Sequence, residues 1–201
     1  MSHGKIYVFL EGWNKAQQQN SFIVKEVNED GSLAEGMTVL ETEPSTGQMK
    51  SADYSISFSP DGTKLLVLTE KPFVKDGKEG LRLQVFETST WTSVWKQDLT
   101  LESASEKNPS NEVILDNSGV AYILKDIKIS GKEHIYQLIT AGDDFSNTAV
   151  IDLKTYFPSQ QKMIIDNTGK LLICGMLSPL GKRATDWQGI WYLQADAKGK
   201  I

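Results

Sequence analysis

Cysteine occurs once and histidine twice in 201 residues, and that scarcity removes whole classes of chemistry. A single thiol, Cys174, cannot build an internal disulfide framework. Nor can it join His3 and His134 in a four-thiolate or Cys/His zinc site, so neither a metal nor another cofactor is expected. Long apolar runs are missing as well. The longest strongly apolar stretch, Leu171-Leu172-Ile173-Cys174, is strand length against the roughly 18 residues a spanning helix needs, and no membrane insertion is expected. Cys174 reads there as a small buried hydrophobe. Basic clusters are absent too: with 26 acidic against 21 basic residues, a net charge of -5 and no run of Lys or Arg, the footprint of a nucleic-acid or anionic-membrane binder is lacking. The first ten residues carry an apolar run too short for a secretory leader, and acidic Glu11 follows it. No segment sustains a 3.6-residue apolar period, which argues against any long helix.

What the chain has in abundance is repetition. Phe58-Ser59-Pro60-Asp61-Gly62-Thr63-Lys64-Leu65-Leu66-Val67-Leu68 aligns with Leu115-Asp116-Asn117-Ser118-Gly119-Val120-Ala121-Tyr122-Ile123-Leu124 and with Ile165-Asp166-Asn167-Thr168-Gly169-Lys170-Leu171-Leu172-Ile173-Cys174. Each copy is an apolar strand, a polar turn closed by Gly, and a second apolar strand. Ser2-His3-Gly4-Lys5-Ile6-Tyr7-Val8 supplies the end of a fourth copy. Gly, Asn and Asp belong at such corners because a tight hairpin needs positive φ, which Gly adopts without steric cost and Asn or Asp tolerates.

A third strand recurs after each turn, in Ser21–Val27, Leu81–Phe86, His134–Ile139 and Gly189–Ala195, and a fourth follows near Met37–Leu40, Val94–Leu99 and Ala149–Leu153. The unit is therefore four antiparallel strands, a to d, of which the first copy holds b to d and the last a to c. Fourteen strands in all are expected. Four-stranded units of ~50 residues in series point to a β-propeller. The expectation is an all-β propeller segment of about four blades, over 1–44, 45–104, 105–154 and 155–201, with incomplete first and last blades. A β-sandwich is the alternative, but it would show turn signals every 8–12 residues without the longer period.

The Ser59-Pro60-Asp61-Gly62 turn between two apolar strands resembles the WD40-like repeat of TolB-type bacterial propellers. The ending Gly189-Ile190-Trp191-Tyr192-Leu193-Gln194-Ala195-Asp196 looks like the c strand of large secreted bacterial propeller proteins. The resemblance implies a fold and a periplasmic or extracellular home as part of a longer exported chain. It brings no catalytic residues.

Motif chemistry is thin. Ser93-Val94-Trp95-Lys96 has Ser-x-x-Lys spacing, but on a strand residues three apart are expected on opposite faces. Ser178 lacks the flanking glycines of a nucleophile elbow. The acidic stretch from Glu26 has Met37 where a calcium loop needs its bidentate Glu. Asp143, Asp144 and Asp186 are the carboxylates an alternative reading, a propeller hydrolase or lyase, would draw from several blades, although Asp143-Asp144 also suits a polar corner.

The b-to-c connections, Gly12 to Asn20, Lys71 to Gly80, Lys128 to Glu133 and Met176 to Gln188, are expected to be long loops sharing one face. Loops on a rigid scaffold usually carry function. These hold Trp13, Phe73, Lys75, Arg183 and Trp187, the aromatic-plus-cation mixture of a binding hot spot. Trp91 and Trp95 fall at the opposite end and read as hairpin packing. The expected function is thus a non-catalytic binding or scaffolding module for a protein, peptide or glycan. A further expectation is packing of apolar flanks of the first and last blades against other domains of a longer chain.

Overall fold

The computed structural model describes residues 5–14, 19–44, 53–75, 78–100, 112–130, 133–151, 156–166, 169–179 and 189–195. They form four antiparallel sheets, each a meander in chain order. Sheet I holds β1 (Ile6–Asn14), β2 (Gln19–Val27) and β3 (Thr38–Pro44). Sheet II holds β4 (Asp53–Phe58), β5 (Lys64–Lys75), β6 (Lys78–Glu87) and β7 (Thr92–Thr100). Sheet III holds β8 (Glu112–Leu115), β9 (Ala121–Ser130), β10 (Glu133–Ala141) and β11 (Ser146–Ile151). Sheet IV holds β12 (Tyr156–Ile165), β13 (Leu171–Pro179) and β14 (Gly189–Ala195). No helix is present among the described residues.

The turns that open sheets II, III and IV share one construction. Gly62, Gly119 and Gly169 take φ of 72°, 91° and 82°, and their N–H groups donate to Ser59, Asp116 and Asp166 at 2.8, 3.1 and 3.0 Å. A side-chain oxygen at that first turn position then accepts the N–H that closes the loop. Ser59 Oγ takes Lys64 N–H, Asp116 Oδ1 takes Val120 N–H, and Asp166 Oδ1 takes Lys170 N–H, at 2.9, 2.8 and 2.9 Å. Ser and Asp are interchangeable here because each presents a short acceptor able to reach its own backbone.

Leu65, Leu66, Val67 and Leu68 are all buried in one unbroken run. Strand side chains alternate between faces, so β5 must be covered on both. Leu65 and Val67 pack with Phe22, Val24 and Leu40 of sheet I. Leu66 and Leu68 pack with Leu115, Ala121 and Ile123 of sheet III. The next residues of sheet III, Tyr122 and Leu124, meet Leu171 and Ile173 of sheet IV. Each sheet thus has a forward face, turned to its successor, and a backward face, turned to its predecessor. From sheet II to III and from III to IV the backbones approach at the first strand of the later sheet, β8 against β4 and β5, and β12 against β8 and β10.

Polar contacts tie successive turns together at one end of the stack. Asn117 Oδ1 accepts Asp61 N–H at 3.0 Å, Lys64 Nζ donates to the Asn117 carbonyl at 2.9 Å, and buried Trp95 donates through Nε1 to the Gly119 carbonyl at 3.0 Å. Among the described residues no apolar cluster joins sheet IV back to sheet I.

Two expectations need correction. Three of the four b-to-c connections are strand rather than long loop: β1 and β2 pair out to Asn14 and Gln19, β5 and β6 to Lys75 and Lys78, and β9 and β10 to Ser130 and Glu133. Ladder pairing uses only backbone groups, so polar residues that look loop-like continue it as a hairpin ribbon. Cys174 is half-buried rather than buried, because it lies on the forward face of sheet IV, which no apolar cluster among the described residues covers.

Candidate functional site

A concavity lies at the turn end of sheets I and II. Its volume is about 320 Å³, and its walls include Tyr7, Val24, Glu26, Glu35, Met37 and Trp91. Ligand pockets start at ~300 Å³, so the space suits one side chain or a small group.

Local sequence builds each wall. The link from β2 to β3 is not a tight hairpin but an ordered excursion over residues 28–37. Gly31 and Gly36 take φ of 82° and 83°, Val27 bridges Leu33, and Ala34 N–H donates to the Glu26 carbonyl at 2.9 Å. Asp30 Oδ1 accepts from Ser32 N–H and Oγ at 2.9 and 2.6 Å, and those bonds, the hydroxyl's first, hold its carboxyl below the usual range. The excursion carries Glu35 and Met37 over the ends of β1 and β2.

Trp91 forms the facing wall from the hairpin between β6 and β7. Its N–H donates to the Glu87 carbonyl at 2.7 Å, and its φ is 55°, in the left-handed region. That conformation costs an L residue ~1–2 kcal/mol, which is why glycine usually takes such a position. The strain holds the indole edge-on to Tyr7, with ring centroids 5.1 Å apart and planes at 84°. Quadrupole attraction favours that arrangement.

The charge around the cleft is mixed. Lys5 Nζ pairs with Glu26 Oε2 at 2.9 Å, and the hydrogen bond to that carboxylate raises the Lys5 pKa. Glu26 is thereby offset, while exposed Glu35 and half-buried Lys25 bring one charge of each sign to the lining.

The residues expected to bind are placed elsewhere. Trp13 lies on β1 opposite Asn20, and Phe73 and Lys75 lie on β5, Lys75 opposite Lys78. Their side chains, and all of Arg183 and Trp187, lie outside the described residues. Their strands run from the cleft toward the other end of the sheets, so Trp13, Phe73 and Lys75 are not part of it. The signals that could have found the cleft are the Gly31 and Gly36 pair within an over-long c-to-d link, and a tryptophan where a hairpin favours glycine.

The candidate chemical groups are also located. Asp143 and Asp144 are exposed in a turn closed by Gly142 N–H to the Phe145 carbonyl at 2.9 Å, while Asp186 lies outside the described residues. Ser93 and Lys96 do not face opposite ways as expected. A register shift between Val85 and Phe86 sets Ser93 against Phe86 and Lys96 against Gln84, two residues on one face of β6. The Ser93 hydroxyl accepts from Gln84 Nε2 at 3.1 Å. Among the described residues, no group of three His, Cys, Asp or Glu side chains could hold a metal ion.

Comparison with known proteins finds no matching family model, curated protein or solved structure, so no family is identified and the chain is characterised as an all-β protein of four antiparallel sheets.

Proposed function

We propose that the four sheets are consecutive blades of a β-propeller, and that the chain is a non-catalytic binding module that takes a protein or peptide segment at the Tyr7–Trp91 cleft. The chain-order stacking and the approach of sheets II to IV at the first strands β8 and β12 support the propeller reading, since inner strands line a propeller axis. The binding reading rests on one observation. A bulky residue, Trp91, occupies a strained left-handed position, and there its ring packs on the edge of the core shared by sheets I and II and stands beside Tyr7 in the wall of the cleft. Strain of that kind concentrates at functional sites.

The chemistry of the walls defines the ligand. Tyr7, Trp91 and Met37 offer apolar surface to a side chain within an otherwise polar lining, and Glu35 at the rim offers a carboxylate to a neighbouring cation. A peptide with a hydrophobic residue next to Lys or Arg combines both.

The test is a peptide array and a glycan array probed with the wild-type protein, Trp91→Ala and Glu35→Gln. Binding of hydrophobic-basic peptides that Trp91→Ala abolishes and Glu35→Gln weakens is expected. Glycan binding alone, or peptide binding indifferent to both changes, overturns the proposal. Loss on changing Trp13, Phe73, Lys75, Arg183 or Trp187 instead would move the contact to the opposite end.

A further inference from the structure

The register of the sheets shows what their uncovered faces are built to meet. In β1, β5, β9 and β13 the third forward position is Glu11, Glu70, Asp126 and Met176, and their partners on the next strand are Phe22, Leu81, Tyr136 and Ile190. These four are equivalent by pairing, yet the first three are 6%, 2% and 1% exposed and Ile190 is 78% exposed. One pair earlier, Phe9, Leu68, Leu124 and Cys174 oppose Val24, Leu83, Leu138 and Tyr192. Exposure there is 3%, 0% and 1%, against 74% for Tyr192. Sheet IV therefore carries apolar side chains where sheets I to III carry the residues that receive the next sheet. Ile164, on β12, is exposed on the same face.

Sheet I shows the converse. Leu65, Ala121 and Leu171 open the backward faces of sheets II, III and IV and are 0% exposed, whereas their equivalent Ile6 is 54% exposed. Val8 and Ile23 continue that face half-buried, and Leu10, paired with Ile23, is exposed. The two uncovered surfaces are thus not alike. One is a forward face and the other a backward face, the two halves of a contact that the chain makes three times within itself.

We propose that a second copy of this chain covers them head to tail. The forward face of sheet IV packs on the backward face of sheet I of the partner, and the reverse contact closes a ring of eight sheets. Two copies related by a twofold axis satisfy both faces at once. Eight is within the usual range of four to eight blades, and this closure rests on the propeller reading. The pairing of faces does not, because it follows from register and burial.

Light scattering of the 201-residue chain tests the inference. A mass of twice 22.4 kDa is expected. The change Ile190→Asp with Tyr192→Lys, or Ile6→Lys by itself, should return the protein to 22.4 kDa. All of these residues are exposed, so a circular dichroism spectrum should stay unchanged. Val94→Lys and Val150→Lys, equally apolar and exposed but on the outer strands β7 and β11, should leave the pair intact. Mixing the Ile190/Tyr192 variant with the Ile6 variant should restore some paired mass, because one intact forward-to-backward contact remains.

A protein that stays at 22.4 kDa up to about 1 mM, the weak end of measurable association, overturns the inference and leaves flanking sheets of a longer chain as the cover. Pairing sensitive to one face only means like-on-like contact and overturns it as well. Open-ended particles refute the closed ring. Paired mass needing both faces, but without a ring in electron micrographs, would uphold the face pairing and count against the propeller reading alone.

Discussion

Replacing Trp91 with Gly and with Ala separates backbone strain from ring packing. Both changes remove the indole and its edge-on contact with Tyr7 at 5.1 Å, an aromatic pair worth ~0.5–1.5 kcal/mol beyond its buried area. Both should therefore destabilise the protein, and the difference between them isolates the backbone. At φ of 55° Ala keeps the left-handed penalty of ~1–2 kcal/mol, whereas Gly has none. Opposing this, Gly gives the unfolded chain more freedom, worth ~0.4–1 kcal/mol in favour of Ala. The balance leaves Trp91→Gly more stable than Trp91→Ala by about 0.5–1 kcal/mol. At a urea slope of about 2 kcal/mol per molar, the Gly variant unfolds at a midpoint ~0.3–0.5 M higher. Equilibrium urea unfolding followed by circular dichroism gives both midpoints and slopes. Equal midpoints, or Ala above Gly, would refute the idea that Trp91 is held against its backbone preference.

Trp95→Phe keeps a buried aromatic between sheets II and III but removes the 3.0 Å bond to the Gly119 carbonyl. An acceptor left unsatisfied costs ~1–3 kcal/mol, and a measured loss below ~0.5 kcal/mol would show that the bond does not hold that turn. Acid should weaken the fold through Asp61 and Asp98. Bonds led by the Ser59 hydroxyl lower the Asp61 pKa, and those from Arg82, at 2.8 Å from Nε and 3.1 Å from Nη2, lower that of Asp98. A depressed folded pKa gives stability that is complete above the unfolded value of ~3.9 and is lost as pH falls through the folded value. Unfolding midpoints should then decline below about pH 4, less steeply in Asp98→Asn, and an unchanged slope in that variant would count against the Arg82 pairing.

The turn grammar was legible because its causes are local. Gly62, Gly119 and Gly169 take the positive φ that their spacing predicted, and the interchange of Ser59 with Asp116 and Asp166 needs only a short acceptor side chain. The strand count follows similarly, with fourteen expected and fourteen formed among the described residues. The extended hairpin ribbons were not legible. Trp13, Phe73 and Lys75 looked like loop residues because pairing past Gly12 and Glu70 leaves no apolar signature. The cleft was invisible because its two aromatic walls, Tyr7 and Trp91, come from different sheets.

Sequence alone determined the repeating unit, the corners and the apolar middle strands, since each depends on the conformational preference of a few adjacent residues. Tertiary structure decided which faces found a partner. Leu83, Leu138 and Tyr192 hold equivalent positions as apolar strand residues, yet two are sealed and one stands in solvent. It likewise decided that a shift at Val85 and Phe86 turns Ser93 and Lys96 to one side. Burial and register are properties of two segments in contact, and the residues of one segment do not contain them.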